Sequence, residues 1–411
     1  MINQKNPLWT RDFTIITLGT TVSMLGNSIA GFAISLLVLD YTGSIFLYAL
    51  FMVAYELPKV VMPLLAGPYL DNYSRKKAIY TLDFISAALY FGVFFLLMGG
   101  YFSYVPFLIL CVLIGSIDSV YEVAYESLYP LLVSEGNFSK AYSISSMLYP
   151  LAAMSIPVAS YVYQKVGLAP LFAFNAATFL VAAIFETQIS PVEDQMHDSP
   201  EKASFAFLRD EFKNGMAYIR GEKGLLVITS YFFVTIMLGS AAGTLWLPLF
   251  KSSDTLGISL YTYVMAANVF GRLMGGLFHY KVRIKPSIKF TVAIIVYISI
   301  SFLEGSFVFF PPLVMLLMCF VSGSLAVNSY NIRIAATQSY IPNKFRARFN
   351  GTFFMICTFG ALLGDLAAGV LGEYFRLDYL IAGAMAINLV AVYAIVWRGR
   401  ENVKFIYNRE V

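Results

Sequence analysis

Charge is scarce in this chain. Asp, Glu, Lys and Arg together make up 13% of its 411 residues, about half of what a soluble domain carries. A protein of this size with so few charges has no means of covering itself against water, so a soluble globular fold is excluded. Histidine occurs twice, as His197 and His279, too far apart for the i, i+4 pair of a zinc hydrolase. The three cysteines, Cys111, Cys319 and Cys357, all fall inside apolar runs, where they read as small packing residues rather than a disulfide framework or a metal cluster. No Gly-x-x-x-x-Gly-Lys-Ser/Thr loop is present, so ATP does not drive this protein directly. The stretch Gly26-Asn27-Ser28-Ile29-Ala30 is only superficially like a nucleophile elbow, because it sits in an expected helix with no strand before it. Neither enzymatic chemistry nor a cofactor is expected.

What the chain has instead is apolar length. Hydrophobic residues account for 59% of it and the mean hydropathy is +0.71. Twelve apolar runs reach the ~20 residues a membrane-spanning helix needs, the first over about 12–38, the fourth over 105–128, the fifth over 140–163 and the last over 377–397. The expected fold class is therefore an all-α membrane protein with twelve transmembrane helices. The polar lead Met1 to Arg11 has no small-residue cleavage site, so the first run is expected to insert and stay. Placing the N-terminus in the cytoplasm puts most of the 28 Lys and Arg on that side, Arg75, Lys76, Lys77, Lys281, Arg283, Arg346, Arg348, Arg398 and Arg400 among them, and only Lys165, Lys251 and Arg376 opposite. Both termini are then cytoplasmic, the compartment is the cell (plasma or inner) membrane, and the net charge of +4 reports topology rather than a nucleic-acid partner.

Residues 190–224 form the long polar stretch between two groups of six runs. The division expected is a six-helix bundle over 1–189, a cytoplasmic linker over 190–224, a second six-helix bundle over 225–398 and a cytoplasmic tail over 399–411. Within the linker, Phe205, Leu208, Phe212, Tyr218 and Ile219 alternate with Arg209, Lys213 and Arg220 as in an amphipathic helix. Two such bundles joined by a linker is the organisation of a transporter built from repeats.

The fourth run carries the most informative chemistry. At about 100° per residue, Asp118, Glu122 and Glu126 fall at roughly 0°, 40° and 80°, and Tyr121, Tyr125 and Tyr129 at about −60°, −20° and 20°, so all six are expected on one side. A carboxylate at the bilayer centre costs about 2.5 to 3.5 kcal/mol on insertion scales. Three in a row imply a polar path through the bundle, facing away from lipid. A carboxyl held away from water exchanges its proton for a cation, so Asp118 and Glu122 are the candidate coupling groups, and packing is the plainer role for each tyrosine. Glu56 and Lys59, three apart on the second run, are expected to pair or to meet substrate. Asp83 is expected to brace the basic loop before it. Arg272 and Asp365 are the main charges of the second half, and Asn27, Asn328 and Asn331 are polar enough to line a cavity or bond a neighbouring helix. Six acids (Glu56, Asp83, Asp118, Glu122, Glu126 and Asp365) against Lys59 and Arg272 make a formally negative interior, which favours a cation and gives it aromatic faces worth about 0.5 to 2 kcal/mol each.

The loop Gly67-Pro68-Tyr69-Leu70-Asp71-Asn72-Tyr73-Ser74-Arg75-Lys76-Lys77 resembles the signature loop of the major facilitator superfamily, with Asn72 where a base and Ser74 where a Gly is usual. Its weaker echo is Gly276-Leu277-Phe278-His279-Tyr280-Lys281-Val282-Arg283, which keeps the glycine and the basic cluster and loses the aspartate. Tyr41-Thr42-Gly43-Ser44, Leu57-Pro58, Tyr129-Pro130-Leu131-Leu132-Val133, Phe174-Asn175-Ala176-Ala177-Thr178-Phe179 and Gln338-Ser339-Tyr340-Ile341-Pro342 are similar to the drug:proton antiporter branch that includes macrolide efflux proteins and the enterobactin exporter. The likeness runs over nearly the whole chain. It departs in the fourth run, where Leu113-Ile114-Gly115 replaces the family's arginine, and in the fifth, where Ser155-Ile156-Pro157-Val158-Ala159-Ser160 replaces a Gly-Pro-rich motif.

The resemblance implies the major facilitator fold, and a gating latch in which Asp71, Arg75 and Glu126 meet at the cytoplasmic side. With the acidic row, the expected function is a proton-coupled exporter of a small amphipathic, cationic compound such as a drug, acting as a monomer in the lipid bilayer with protons as coupling ion. A lipid or siderophore transporter, anchoring its substrate on Lys59 and Arg272, is the alternative within the fold. A non-transporting membrane sensor is the alternative outside it.

Overall fold

Each helix begins where a polar or proline residue breaks the apolar run. The computed structural model describes residues 7–70, 74–134, 137–190, 205–281 and 284–409, and these divide by contact into two units, residues 1–43 with 54–203 and residues 44–53 with 204–411. In the first unit, α1 (Arg11–Thr42) opens on Thr10, whose Oγ1 accepts from the Phe13 N–H at 3.2 Å, with Asp12 in the first turn where the helix dipole favours an anion. It is followed by α2 (Ile45–Leu70), α3 (Arg75–Met98), α4 (Tyr104–Leu132), α5 (Phe138–Ala153), α6 (Ile156–Val166) and α7 (Ala169–Glu186).

The fifth apolar run, expected as one helix, is thus two. Pro157 has no N–H to give the Ala153 carbonyl, the Ser155 hydroxyl turns back to the Ala152 carbonyl at 2.6 Å, and the chain restarts at Ile156. α7 packs against α1 and α3, and α5 against α1. Phe13, Ile16, Ile79, Leu128 and Tyr129 are fully buried at one end, and Tyr90 stacks on Phe172 and Phe179 between α3 and α7.

The second unit comprises α8 (Phe205–Gly221), α9 (Lys223–Ser252), α10 (Gly257–Lys281), α11 (Lys289–Ser306), α12 (Pro312–Tyr340), α13 (Asn343–Gly372), α14 (Leu377–Ala391) and α15 (Arg400–Tyr407). Its pairings repeat those of the first unit six spans on. α9 packs against α14 and α13 as α1 does against α7 and α5, and α11 against α14 as α3 does against α7. The polar stretches at either end of this unit are folded onto it. Arg209 and Asp210 of α8 are exposed while Ile219 is fully buried and the Tyr218 ring stacks on Phe345 at 4.5 Å, so the apolar side of α8 lies on α13. α15 buries Val403, Ile406 and Tyr407, and Asn408 caps α11 by accepting from the Phe290 N–H at 3.0 Å.

Among the described residues ten helices are long and apolar enough to cross a membrane. The expectation of twelve differs at the broken fifth run and at α10, neither of which is among the ten.

The first turns of α2, residues 44–53, cluster with the second unit. Glu373, just past the end of α13, accepts from the Ser44 hydroxyl at 2.6 Å and from the Phe46 N–H at 2.9 Å, supplying from a distant part of the chain the anion that a helix start favours. The Phe46 N–H first, and then the Ser44 hydroxyl, hold the Glu373 carboxyl below its ordinary value. A depressed carboxyl contributes stability above its unfolded value and loses it as pH falls through its folded value. The stability difference between wild type and Glu373→Ala, measured by thermal unfolding in detergent, should accordingly be present at neutral pH and shrink on acidification, whereas a constant difference would mean the contact carries no charge dependence.

Candidate functional site

α2 and α4 meet at a glycine. A Cβ at Gly115 would strike the backbone carbonyl of Tyr55, so only glycine lets these helices approach there. One turn further along α4 stands Asp118, half-buried, whose Oδ2 accepts from the Tyr55 phenol at 2.6 Å. On α2, Lys59 donates to Glu56 Oε1 at 2.7 Å, lies 4.4 Å over the Tyr55 ring and acts electrostatically on both Asp118 and Glu122. Glu56, Lys59, Asp118 and Glu122 thus form one cluster centred on a single cation. Glu122 and Glu126 are exposed on the next two turns of α4.

The tyrosines expected on the same side do not join that edge. Tyr121 and Tyr125 stack at 6.3 Å, Tyr125 and Tyr129 at 5.2 Å, and Tyr129 packs on Phe13 and donates to the Ala141 carbonyl at 2.7 Å. Tyr125 and Tyr129 are buried, and the Tyr121 phenol turns to Glu186 of α7 at 3.2 Å. The physical reason is angular. Six residues spread over about 140° of helix surface, wider than one exposed strip, so the acid edge and the tyrosine edge meet different neighbours.

Asn27 is half-buried on α1. Of the expected latch, Asp71 lies outside the described residues, Arg75 is the first residue of α3 and Glu126 is exposed on α4.

In the second unit the charges exchange hydrogen bonds with neutral groups, and the Arg272 charge also acts on Glu304 of α11. Asp365 on α13 is buried and accepts from the α9 hydroxyls of Ser240 at 2.5 Å and Thr244 at 2.7 Å. Arg272 on α10 is exposed and donates through Nε to Asn268 Oδ1 at 3.1 Å, while Asn268 Nδ2 bonds the Cys319 carbonyl across the α10–α12 contact. A Cβ at Gly271 would strike the Phe320 carbonyl there. Asn328 donates to the Ser324 carbonyl within its own helix at 2.9 Å.

Four placements depart from the sequence reading or go beyond it. Asp83, expected to brace the basic loop, is 1% exposed and faces Glu186, while Lys76 of that loop bonds the Ile189 carbonyl instead. Glu186 itself, fully buried at the end of α7, is missing from the count of six acids. So is Glu304 on α11, half-buried and accepting from Ser322 at 2.5 Å. Arg333 on α12, 9% exposed, is ringed by Phe232, Tyr330 and Phe353 at 4.6 to 5.2 Å, and its Nε has no hydrogen-bond partner. One signal was available for all three: a lone ionisable residue inside or closing an apolar run, as in Ile332-Arg333-Ile334.

Helices of membrane-crossing length in two units of like pairing, with ionisable residues held inside them, define a multi-pass helical membrane protein. Residues 16–364 match the Major Facilitator Superfamily, and the chain belongs to that family of transporters, which are not enzymes. It is 24% identical to macrolide efflux protein A of Streptococcus pyogenes, over 93% of this chain and 95% of that one. To the uncharacterized MFS-type transporter YkuC of Bacillus subtilis (strain 168) it is 22% identical, over 92% of this chain and 90% of the relative. Among solved structures, a bacterial homologue of the iron transporter ferroportin in its inward-facing state superposes with a TM-score of 0.68 at 15% identity, over 93% of this chain and 98% of that one.

Because the Tyr55 backbone sits against Gly115, Gly115→Ala should overpack the α2–α4 contact at about 1 to 3 kcal/mol. The lowered Tm in detergent is the readout. Gly31→Ala, where a Cβ meets open space, is the control and should be neutral or slightly stabilising.

Proposed function

We propose that the protein is a proton-coupled exporter with twelve spans, working as a monomer by alternating access in the cell membrane with both termini in the cytoplasm, and that it moves a small amphipathic cation. The observation that supports this reading most is Asp118, half-buried on α4 and held by the Tyr55 phenol beside the single cation Lys59. A carboxylate so placed keeps its charge while those partners stay, and takes a proton when they leave. Glu122, one turn on and exposed, is the group a cation meets first. Binding the cation and binding the proton then compete for the same charge, which is what exchange of one for the other requires.

Asp365, with two hydroxyl donors, and Arg272, with Asn268, are the polar contacts the second unit offers to a substrate. Tyr121 and Tyr125 take a packing role in this reading, and Asn27 a lining one. Export as the direction is supported by the likeness to a macrolide efflux protein.

The test is uptake into inside-out proteoliposomes of a macrolide and of tetraphenylphosphonium, with and without an imposed pH gradient. Wild type should accumulate a probe when the gradient is present. Asp118→Asn and Glu122→Gln should each lose the gradient-driven component by roughly tenfold, about 1.4 kcal/mol of coupling, while retaining passive exchange of preloaded probe. Unimpaired gradient-driven uptake in both variants would overturn the assignment.

A further inference from the structure

The α4 acids have a cation beside them, and a second pair of acids does not. Asp83 on α3 and Glu186 on α7 act on each other across the α3–α7 contact, 1% and 0% exposed. Neither Asp83 Oδ2 nor Glu186 Oε2 has a hydrogen-bond partner among the described residues. Among the described residues no positive charge acts on either acid. α4 offers Asp118, the Tyr121 phenol, which donates to Glu186 Oε1 at 3.2 Å, and Tyr125. α1 offers the Thr20 hydroxyl, 1% exposed, which faces the Tyr121 phenol without reaching hydrogen-bond geometry. The nearby Asp12 of α1 is engaged at the surface with Ser190, and Lys76 of α3 with the Ile189 carbonyl.

Two carboxylates have no hydrogen to share, so a hydrogen bond between them exists only if one carries a proton. Two like charges side by side out of water, with no base within reach, are not a state this environment supports. We infer that Asp83 and Glu186 form a proton-binding site of the first unit, holding one proton between α3 and α7 in a chamber closed by Tyr121 and Thr20.

This site is separate from the Asp118 cluster and stands on its own geometry. Its occupancy bears directly on helix packing. With the proton present the pair carries one negative charge instead of two, shared with the Tyr121 phenol, and α3 and α7 close on each other, as the stacking of Tyr90 on Phe179 at 5.7 Å records. Removing the proton leaves two buried negative charges across the same contact, which separates the helices or admits water. The site therefore couples proton release to movement of α3 against α7.

The measurement is the infrared spectrum of the full chain in lipid nanodiscs at about pH 7, where an ordinary exposed carboxyl has long lost its proton. Wild type should show the carbonyl band of a protonated carboxylic acid. The band should shift when Asp or Glu is labelled with carbon-13 in the side-chain carboxyl, disappear in Asp83→Asn/Glu186→Gln and persist in Asp118→Asn. Absence of the band from wild type, or its survival in the double variant, would overturn the inference. If the double variant fails to fold, the labelled wild type decides alone, since a band indifferent to both labels is equally fatal. No transported solute enters this measurement, so its result is independent of what Asp118→Asn does in vesicles.

Discussion

Hydrocarbon offers no hydrogen bonds, so a polar group inside a membrane-spanning helix has to find its partner within the protein. In the simplest case the partner is the helix itself. Thr21, Ser35, Ser116, Ser127 and Ser301 each turn a hydroxyl back to the carbonyl four residues earlier, at 2.6 to 2.8 Å, which lets small polar residues ride in apolar helices at little cost. Where that is not enough, the partner comes from the next helix. Asn388 donates both to Thr235 and to Ser301, tying α14 to α9 and α11, and Tyr297 and Tyr407 share a hydrogen bond at 2.9 Å that fixes α15 beneath α11. Such ties, with close packing, hold the helices together, because in lipid there is no hydrophobic force between them.

Charges meet the same constraint in different ways in the two units. The second unit answers each with neutral groups: hydroxyls for Asp365 and Glu304, an amide for Arg272, aromatic faces for Arg333. Those partners are local, although the Arg272 charge also acts on Glu304. The first unit gathers its charges instead. Lys59 serves Glu56 directly and Asp118 and Glu122 at a distance, so the protonation of any one acid alters what the cation does for the rest. Shared partners make a site responsive, and this is why the functional reading rests on the first unit.

Much of this was legible in the sequence. The apolar runs gave the helices, the polar gaps their ends, and the alternation of Phe205, Leu208, Arg209 and Ile219 gave α8. Helix arithmetic put Asp118 and Glu122 on one face, where they are. What the sequence does not encode locally is which neighbour a face meets. Tyr121 and Asp118 differ by about 60° around α4, and that angle separates the bonds to α7 from the bonds to α2. Asp83 was read against its own loop because the loop is adjacent in sequence, yet its neighbour is Glu186, more than a hundred residues on. Glu186, Glu304 and Arg333 escaped for a related reason. A charge at the end of an apolar run looks interfacial until the next helix is seen to cover it. The register of α8 was visible too, but the covering of its apolar side by α13 was not, since a surface helix on lipid and one on protein have the same pattern.

The contrast between the two acid groups of the first unit then follows from what stands beside each. Asp118 has a phenol donor, a cation in reach and partial exposure, so its negative charge is compensated and the group is available to a solute. Among the described residues Asp83 and Glu186 have each other, one phenol and no cation, so only a proton halves their charge. In the proposed exporter a carboxyl of the first kind is neutralised in turn by a proton, Lys59 or a passing amine. A pair of the second kind, as inferred above, discriminates between states of the protein, because the closed contact of α3 on α7 tolerates the protonated form alone. The two groups meet through α4, which carries Asp118 and whose Tyr121 donates to Glu186 of the second.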